Sequence, residues 1–162
     1  MLAAALLRFL PHPPNVAPIG AMALFGGALF ARKGVAVAMV FTAMLISDIL
    51  LGFQPVPIVY FAFAGVVGIG FLLRKNRSPW RIAGASVTGS VLFFIVTNFG
   101  VWAGGALFPQ SMYPQTFEGL IACYVAAIPY FHNTLLGDAL FTAVLFGGFA
   151  FAEKRFPALR TG

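Results

Sequence analysis

Charged side chains are scarce in this sequence. Only 9% of its 162 residues are Asp, Glu, Lys or Arg, whereas 60% are hydrophobic, and the mean hydropathy is +0.94. A soluble domain of this length leaves much of its surface in water and cannot hide so many apolar side chains. The composition excludes a soluble enzyme, a disordered tail and a nucleic-acid-binding module, and it predicts a single integral membrane domain over residues 1–162.

Cysteine and histidine are also rare, which limits the chemistry. The single cysteine, Cys123, excludes a disulfide framework and a cysteine-based zinc site. The two histidines, His12 and His132, lie far apart and have no metal-ligand spacing. The GxxxxGK[ST] phosphate loop is missing, so ATP would have to be hydrolysed by another protein. We therefore expect no metal, no cofactor and no catalytic step.

The basic residues, in contrast, are concentrated. The net charge is +6, and nine of the ten basic residues fall into three clusters separated by stretches that are almost free of charge. Loops rich in Lys and Arg stay on the cytoplasmic side of a membrane, so we interpret the clusters as markers of topology rather than as a nucleic-acid site. The clusters are Arg32 and Lys33; Arg74, Lys75, Arg77 and Arg81; and Lys154, Arg155 and Arg160.

The apolar stretches between the clusters differ in length. A helix needs ~20 residues to cross ~30 Å of hydrocarbon, so the four stretches of 18 or more residues qualify, 17–31 is marginal and 119–131 is too short. The number of crossings between cytoplasmic clusters must be even, and this also places 119–131 on or in the outer face. The six stretches are 17–31, 35–52, 56–73, 82–107, 119–131 and 134–152.

These stretches predict the fold class. We expect an all-α integral membrane protein, a six-helix bundle whose first helix, over 2–10, is short. The long outer segment 108–133 is expected to carry a short amphipathic or re-entrant helix. The predicted location is the bacterial inner membrane, crossed several times, with a cytoplasmic C-terminus.

The remaining polar residues fall almost entirely in the outer half of the predicted bundle. Polar groups inside hydrocarbon are costly and mark candidate sites. In one interpretation they line a solute pocket under the two outer segments; in the other they are structural, with Asp48 or Asp138 paired to Arg8 and Asn98 bonded to neighbouring backbone. The candidate ligand-binding residues are Arg8, His12, Asn15, Asp48, Asn98, Trp102, His132, Asn133 and Asp138.

Several motifs carry a resemblance to known proteins. They are RFLPHPPN at 8–15, APIGAMALFGG at 17–27, SD at 47–48, TNFGVW at 97–102, ACYVAAIP at 122–129 and NTLLGD at 133–138. Together they resemble a bacterial family of small membrane proteins that is known as a domain of unknown function and described in terms of transport. More distantly, the chain is similar to the substrate-binding S components of energy-coupling-factor (ECF) vitamin transporters.

The resemblance implies a subunit that captures a small molecule from outside the cell. In ECF systems such a subunit works with a coupling membrane protein and two ATPases; a transporter that works alone is the other possibility. Two further interpretations stay open. One is a structural subunit of a larger membrane assembly, and the other is an intramembrane enzyme that uses Asp48 and Asp138 as a carboxylate pair.

Overall fold

The computed structural model describes residues 13–105 and 112–156. In these residues the chain forms five α-helices and no strand, which confirms the predicted helical fold. The predicted short first helix, over 2–10, lies outside the described residues. The helices are α1 (Ile19–Leu29), α2 (Lys33–Leu51), α3 (Pro57–Leu72), α4 (Pro79–Gly104) and α5 (Phe117–Arg155).

The helix ends follow from local residue chemistry. Pro57 and Pro79 stand at the first positions of α3 and α4, where proline's missing N–H costs nothing and its fixed φ suits a helix. Helix α2 ends at Gly52, whose φ of 73° is left-handed, the conformation that glycine adopts most easily after a helix. Thr116 caps α5 by accepting a hydrogen bond from the Gly119 N–H.

Helix α1 is the centre of the bundle. It packs against all four other helices, and eight of its 11 residues are buried. Its approach to α3 is especially close, because a Cβ at Gly27 or at Gly70 would overlap the backbone of the other helix. Small residues that let two helix backbones meet are typical of packing inside membranes.

Three of the five helices are long and apolar enough to cross a membrane. They are α2, α4 and α5, whereas α1 and α3 are apolar but shorter. Helix α1, with 11 residues, is only about 16 Å long. It is too short to cross a hydrocarbon core of about 30 Å by itself.

The outer segment differs from the prediction. We expected a short separate helix over 119–131 and a spanning helix over 134–152, but α5 is one continuous helix of 39 residues with Pro129 inside it. Proline interrupts only one hydrogen bond of the helix, and neighbouring groups can make up for it. Asn133, at the expected break, donates to the Pro14 carbonyl at 2.9 Å. Its polar side chain therefore has a partner within the bundle, and the helix can continue through this position. Both α4 and α5 are long and apolar enough to span a membrane, so the pair is compatible with the predicted even number of crossings.

The three basic clusters meet at one end of the bundle, as far as they lie in described residues. Arg74 donates to the carbonyls of Phe30 and Ala31, next to the first cluster. Arg77 lies 3.7 Å from Glu153, next to the third. We call this the basic end. Asp48 follows Lys33 by 15 residues along α2, or roughly 22 Å, and so lies towards the opposite end.

Candidate functional site

A cavity of about 180 Å³ lies between the helices, away from the basic end; we call it the main cavity. Its walls are mostly apolar, and polar groups reach it from the segment before α1, from α2 and from α5. Three of them, Asn15, Asp48 and Asp138, are residues that the sequence predicted as ligand-binding. Four side chains, Met44, Val59, Phe63 and Phe93, form much of the apolar wall.

Asp138 connects the cavity to the start of α1. Its side chain is 7% exposed; it accepts a hydrogen bond from the Ser90 hydroxyl at 2.6 Å and another from the backbone of Ala21. The first N–H groups of a helix have no partner within the helix, and Pro18 provides no side-chain cap. Asp138 therefore caps α1 from another helix, with its negative charge at the positive end of the α1 dipole.

Gly20 makes this cap possible. A Cβ at Gly20 would overlap the carboxylate of Asp138. Only a residue without a side chain leaves room for the carboxylate to reach the backbone at the start of α1.

Asp48 has a different environment. It is also 7% exposed, and it accepts a hydrogen bond from the Tyr60 hydroxyl of α3 at 3.0 Å. It lies in the last turn of α2, where the negative end of the helix dipole disfavours a carboxylate by roughly 0.3–1 kcal/mol. Asp48 thus does not stabilise its own helix, α2, whereas Asp138 stabilises α1.

Asn15 holds an unusual backbone conformation at the edge of the main cavity. Among the described residues it alone combines a side chain with a positive φ, of 65°. Asn tolerates this left-handed region better than most residues, although such conformations cost energy and cluster at functional sites. Beside it, the Pro14 carbonyl is held by the Asn133 amide, which ties the segment before α1 to α5.

A smaller cavity of about 120 Å³ adjoins the main one. Asn15 and Thr134 line both cavities, and Asn98 lines the smaller one. The Asn98 amide donates to the Phe94 carbonyl of its own helix at 2.7 Å, as the structural interpretation of this residue predicted.

Three predicted site residues do not line either cavity. Trp102 donates from Nε1 to the Pro114 carbonyl at 3.0 Å and thereby fastens the segment before α5 to the end of α4. His132 is exposed, and the Asn133 amide donates to the Pro14 carbonyl. Whether these three residues bind a ligand stays a prediction.

Two predicted site residues, Arg8 and His12, lie outside the described residues. Conversely, sequence reasoning missed Ser90 and Tyr60, which bind the two carboxylates, and Thr134, which lines both cavities. Hydroxyl side chains are common in apolar helices, where they bond the carbonyl one turn earlier; no pattern in the sequence separates these three from the others. In the described part of the chain, no group of three or more His, Cys, Asp or Glu is placed to hold a metal ion.

Comparison with known families covers nearly the whole chain. The model of a family described as "Family of unknown function (DUF6580)" matches residues 1–159. The chain belongs to this family. The predicted resemblance to a family of unknown function is thereby confirmed, and every residue of the main cavity falls inside the DUF6580 match. Neither a curated protein nor a solved structure matches the chain.

Proposed function

We propose that this chain is a membrane protein that binds a small solute in the main cavity as part of solute uptake. The observation that carries the proposal is the convergence of Asn15, Asp48 and Asp138, which come from three separate parts of the chain, on one cavity between the helices. Costly polar groups gathered around a cavity, rather than scattered towards lipid, are typical of a ligand pathway.

The size of the cavity limits the solute. An engineered protein cavity of about 150 Å³ accepts benzene, and the main cavity measures about 180 Å³. A single-ring compound fits this volume. A vitamin-sized solute would require the segment before α1 to move outwards.

The lining also favours one kind of chemistry. The carboxylates of Asp48 and Asp138 are hydrogen-bond acceptors, the Asn15 amide both donates and accepts, and the aromatic rings of Phe63 and Phe93 lie 4.7 Å apart on the apolar side. A solute with an N–H or O–H group at one side and an apolar body at the other would satisfy both. Helix α1 begins at the cavity, but the Asp138 carboxylate already stands at its start and accepts from the backbone of Ala21, so an anionic solute would meet a negative charge there.

We further propose the direction of uptake. Because positive loops stay in the cytoplasm, the basic end would face the cell interior, and the main cavity would open towards the outside in a bacterial inner membrane. The distant resemblance to ECF S components supplies candidate partners, a coupling membrane protein and two ATPases. Transport without such partners is the alternative.

A structural subunit of a larger assembly is the second candidate. The cap that Asp138 provides to α1 favours it, since this carboxylate has a clear role in stability without any solute. The last-turn position of Asp48 favours solute binding instead, because it weakens its own helix.

The test is mass spectrometry of small molecules that purify with the protein. We expect a compound to be enriched with the parent protein. The amount that purifies with Asp48→Asn, a change that keeps the shape of the side chain, should be at least tenfold lower. Asn15→Gly should have a similar effect, since glycine keeps the left-handed backbone while the amide is lost. The matched control is Glu153→Gln, which removes one negative charge at the basic end.

Two results would contradict solute binding. One is equal enrichment of the same compound by the parent, Asp48→Asn and Asn15→Gly. The other is the lack of any enriched compound together with a stable complex of the protein with other membrane subunits, which would favour the structural role. Thermal unfolding of each variant in detergent shows whether a loss of the compound reflects a loss of folding.

A further inference from the structure

A groove of about 460 Å³ runs between α4 and α5 on the side of the bundle; we call it the lateral groove. Its floor contains Ser86 and Thr142, which are buried and whose hydroxyl oxygens lie 3.3 Å apart, within hydrogen-bond distance. Each hydroxyl thus has a partner in the floor. Its rim is formed by small or apolar side chains such as Ala83, Val87 and Ala143, which are exposed. The lateral groove therefore presents an apolar channel.

One end of the lateral groove is positively charged. Arg77 lines it there and also lines a second depression of about 500 Å³ at the basic end, together with Arg74 and Lys75. We call this depression the basic basin. Arg77 belongs to both, so the apolar groove and the cationic basin are neighbours that meet at this side chain.

The charges of the basic basin are only partly balanced. Glu153 is the nearby carboxylate, 3.7 Å from one guanidinium nitrogen of Arg77. Arg74 is occupied by three backbone carbonyls at the end of α1, although its charge remains. Among the described residues, three cations line the basic basin and one carboxylate, Glu153, pairs with one of them, so an anionic group would complement the excess.

The length of the lateral groove matches one leaflet of a bilayer. Along α4 its lining extends from Pro79 to Ser90, or roughly 17 Å at 1.5 Å per residue. Half of a hydrocarbon core of ~30 Å is about 15 Å. A single acyl chain whose headgroup stands at the basic end would thus have its whole leaflet depth available in the groove.

We propose that the lateral groove and the basic basin bind one anionic phospholipid. Its phosphate lies against Arg77 and Lys75, and one acyl chain lies along the groove between α4 and α5. Basic pockets between helices on the cytoplasmic side are a known form of lipid headgroup site. A partner helix fits less well, because an apolar helix would leave the positive charge of the neighbouring basic basin without a complement.

Native mass spectrometry of the full chain in detergent tests this site. The protein is titrated with dioleoyl phosphatidylglycerol, with dioleoyl phosphatidylcholine and with inorganic phosphate. We expect one phosphatidylglycerol to bind in preference to phosphatidylcholine, and Arg77→Gln to lower the phosphatidylglycerol affinity about fivefold, the effect of about 1 kcal/mol for one basic residue. Inorganic phosphate alone should not compete.

Matched variants separate charge from shape. Arg81→Gln removes the same charge four residues further along the chain, in the first turn of α4 and outside the groove and basin, and should leave the affinity within twofold. Glu153→Gln should raise it, since a competing carboxylate is lost. Ala143→Phe fills the groove and should abolish binding of the acyl chain, whereas Ala126→Phe, on an exposed part of α5 outside the groove, should not.

The proposal fails if Arg77→Gln and Ala143→Phe bind phosphatidylglycerol as the parent does. It also fails if inorganic phosphate displaces the lipid, which would indicate a site for phosphate ions only. A dimer that disappears with Ala143→Phe would assign the groove to a second copy of the chain. A rise in affinity with Glu153→Gln shows that charge sets the preference, and thermal unfolding in detergent shows whether Arg77→Gln and Ala143→Phe are folded.

Discussion

At the scale of single residues, two carboxylates of equal burial stand at opposite ends of helix dipoles. Asp138 stands at the positive start of α1 and stabilises it, whereas Asp48 stands in the last turn of α2, at the negative end of that helix dipole. The sequence places both at similar depth and cannot distinguish them, because the helix that Asp138 caps is more than 100 residues away in the chain. Only the packing of α5 on α1 gives each aspartate its role.

The cap on α1 can be tested through its glycine. Gly20→Ala introduces a Cβ that overlaps the Asp138 carboxylate, so the aspartate must move away from the start of α1. We expect the free energy of unfolding to fall by about 1–3 kcal/mol, as in other overpacked sites. Thermal unfolding in detergent measures the loss.

Gly68→Ala is the control for this prediction. Gly68 lies inside α3, and a Cβ there meets nothing within 4 Å. Alanine favours a helix over glycine by up to about 1 kcal/mol, so this variant should be as stable as the parent or more stable. Equal losses for both variants would show that the cost at Gly20 is unrelated to Asp138.

Part of the site could be predicted residue by residue. Asn15, Asp48 and Asp138 were predicted because a polar group is conspicuous in an apolar chain, and all three line the main cavity. Ser90 and Tyr60 were missed because their hydroxyls are ordinary in membrane helices. Their importance arises from contacts between helices, which a single sequence does not contain.

At the scale of helices, α1 depends on charged groups from elsewhere at both ends. Asp138 caps its start, and Arg74 donates from three guanidinium nitrogens to the carbonyls of Gly27, Phe30 and Ala31 at its end. An 11-residue helix is marginal by itself. Arg74, interpreted from the sequence only as a marker of topology, therefore also caps the C-terminal end of α1.

This dual role leads to a prediction for Arg74. Arg74→Lys keeps the charge but cannot reproduce a planar group that donates in three directions. We expect it to lose about 2 kcal/mol of stability, a typical value for hydrogen bonds from a charged group, and Arg74→Gln to lose at least as much. Thermal unfolding in detergent measures both.

Arg81→Lys provides the comparison for the Arg74 variants. Arg81 is exposed and belongs to the same basic cluster, so the change should leave the unfolding midpoint where it is. If Arg74→Lys matched the parent as closely as Arg81→Lys does, the charge alone would suffice and the directed hydrogen bonds would be unnecessary.

Helix boundaries were predicted well where composition alone decides them. The apolar stretches 35–52, 56–73 and 82–107 correspond to α2, α3 and α4. The division of α5 was wrong because the stretch 119–131 is too short to span by itself and would have made the number of crossings odd, whereas in the structure it is the first part of one continuous helix. The polar side chain of Asn133 finds its partner, the Pro14 carbonyl, within the bundle. A contact between residues so far apart in the chain is not visible in the local sequence.

At the scale of the whole molecule, the separation of charge and cavity sets the proposed direction of uptake. The described basic clusters share one end of the bundle, and the polar lining of the main cavity lies towards the other. This arrangement is what an even number of crossings between the clusters predicts, and α4 and α5 are compatible with it although α5 is longer than predicted. What remains to be measured is which end faces the cell exterior.

Labelling of engineered cysteines in intact cells measures it. Cys123 is buried and is first changed to Ala, so that the background has no thiol. In that background Gln54→Cys, in the exposed α2–α3 connection, should react with a thiol reagent that cannot cross membranes, whereas Lys75→Cys at the basic end should react only after the cells are opened. Both positions are exposed, so a difference in labelling reports the side of the membrane rather than burial. The reverse pattern would turn the main cavity towards the cytoplasm, and uptake from outside could then no longer begin at Asn15, Asp48 and Asp138, even if those residues bind a solute.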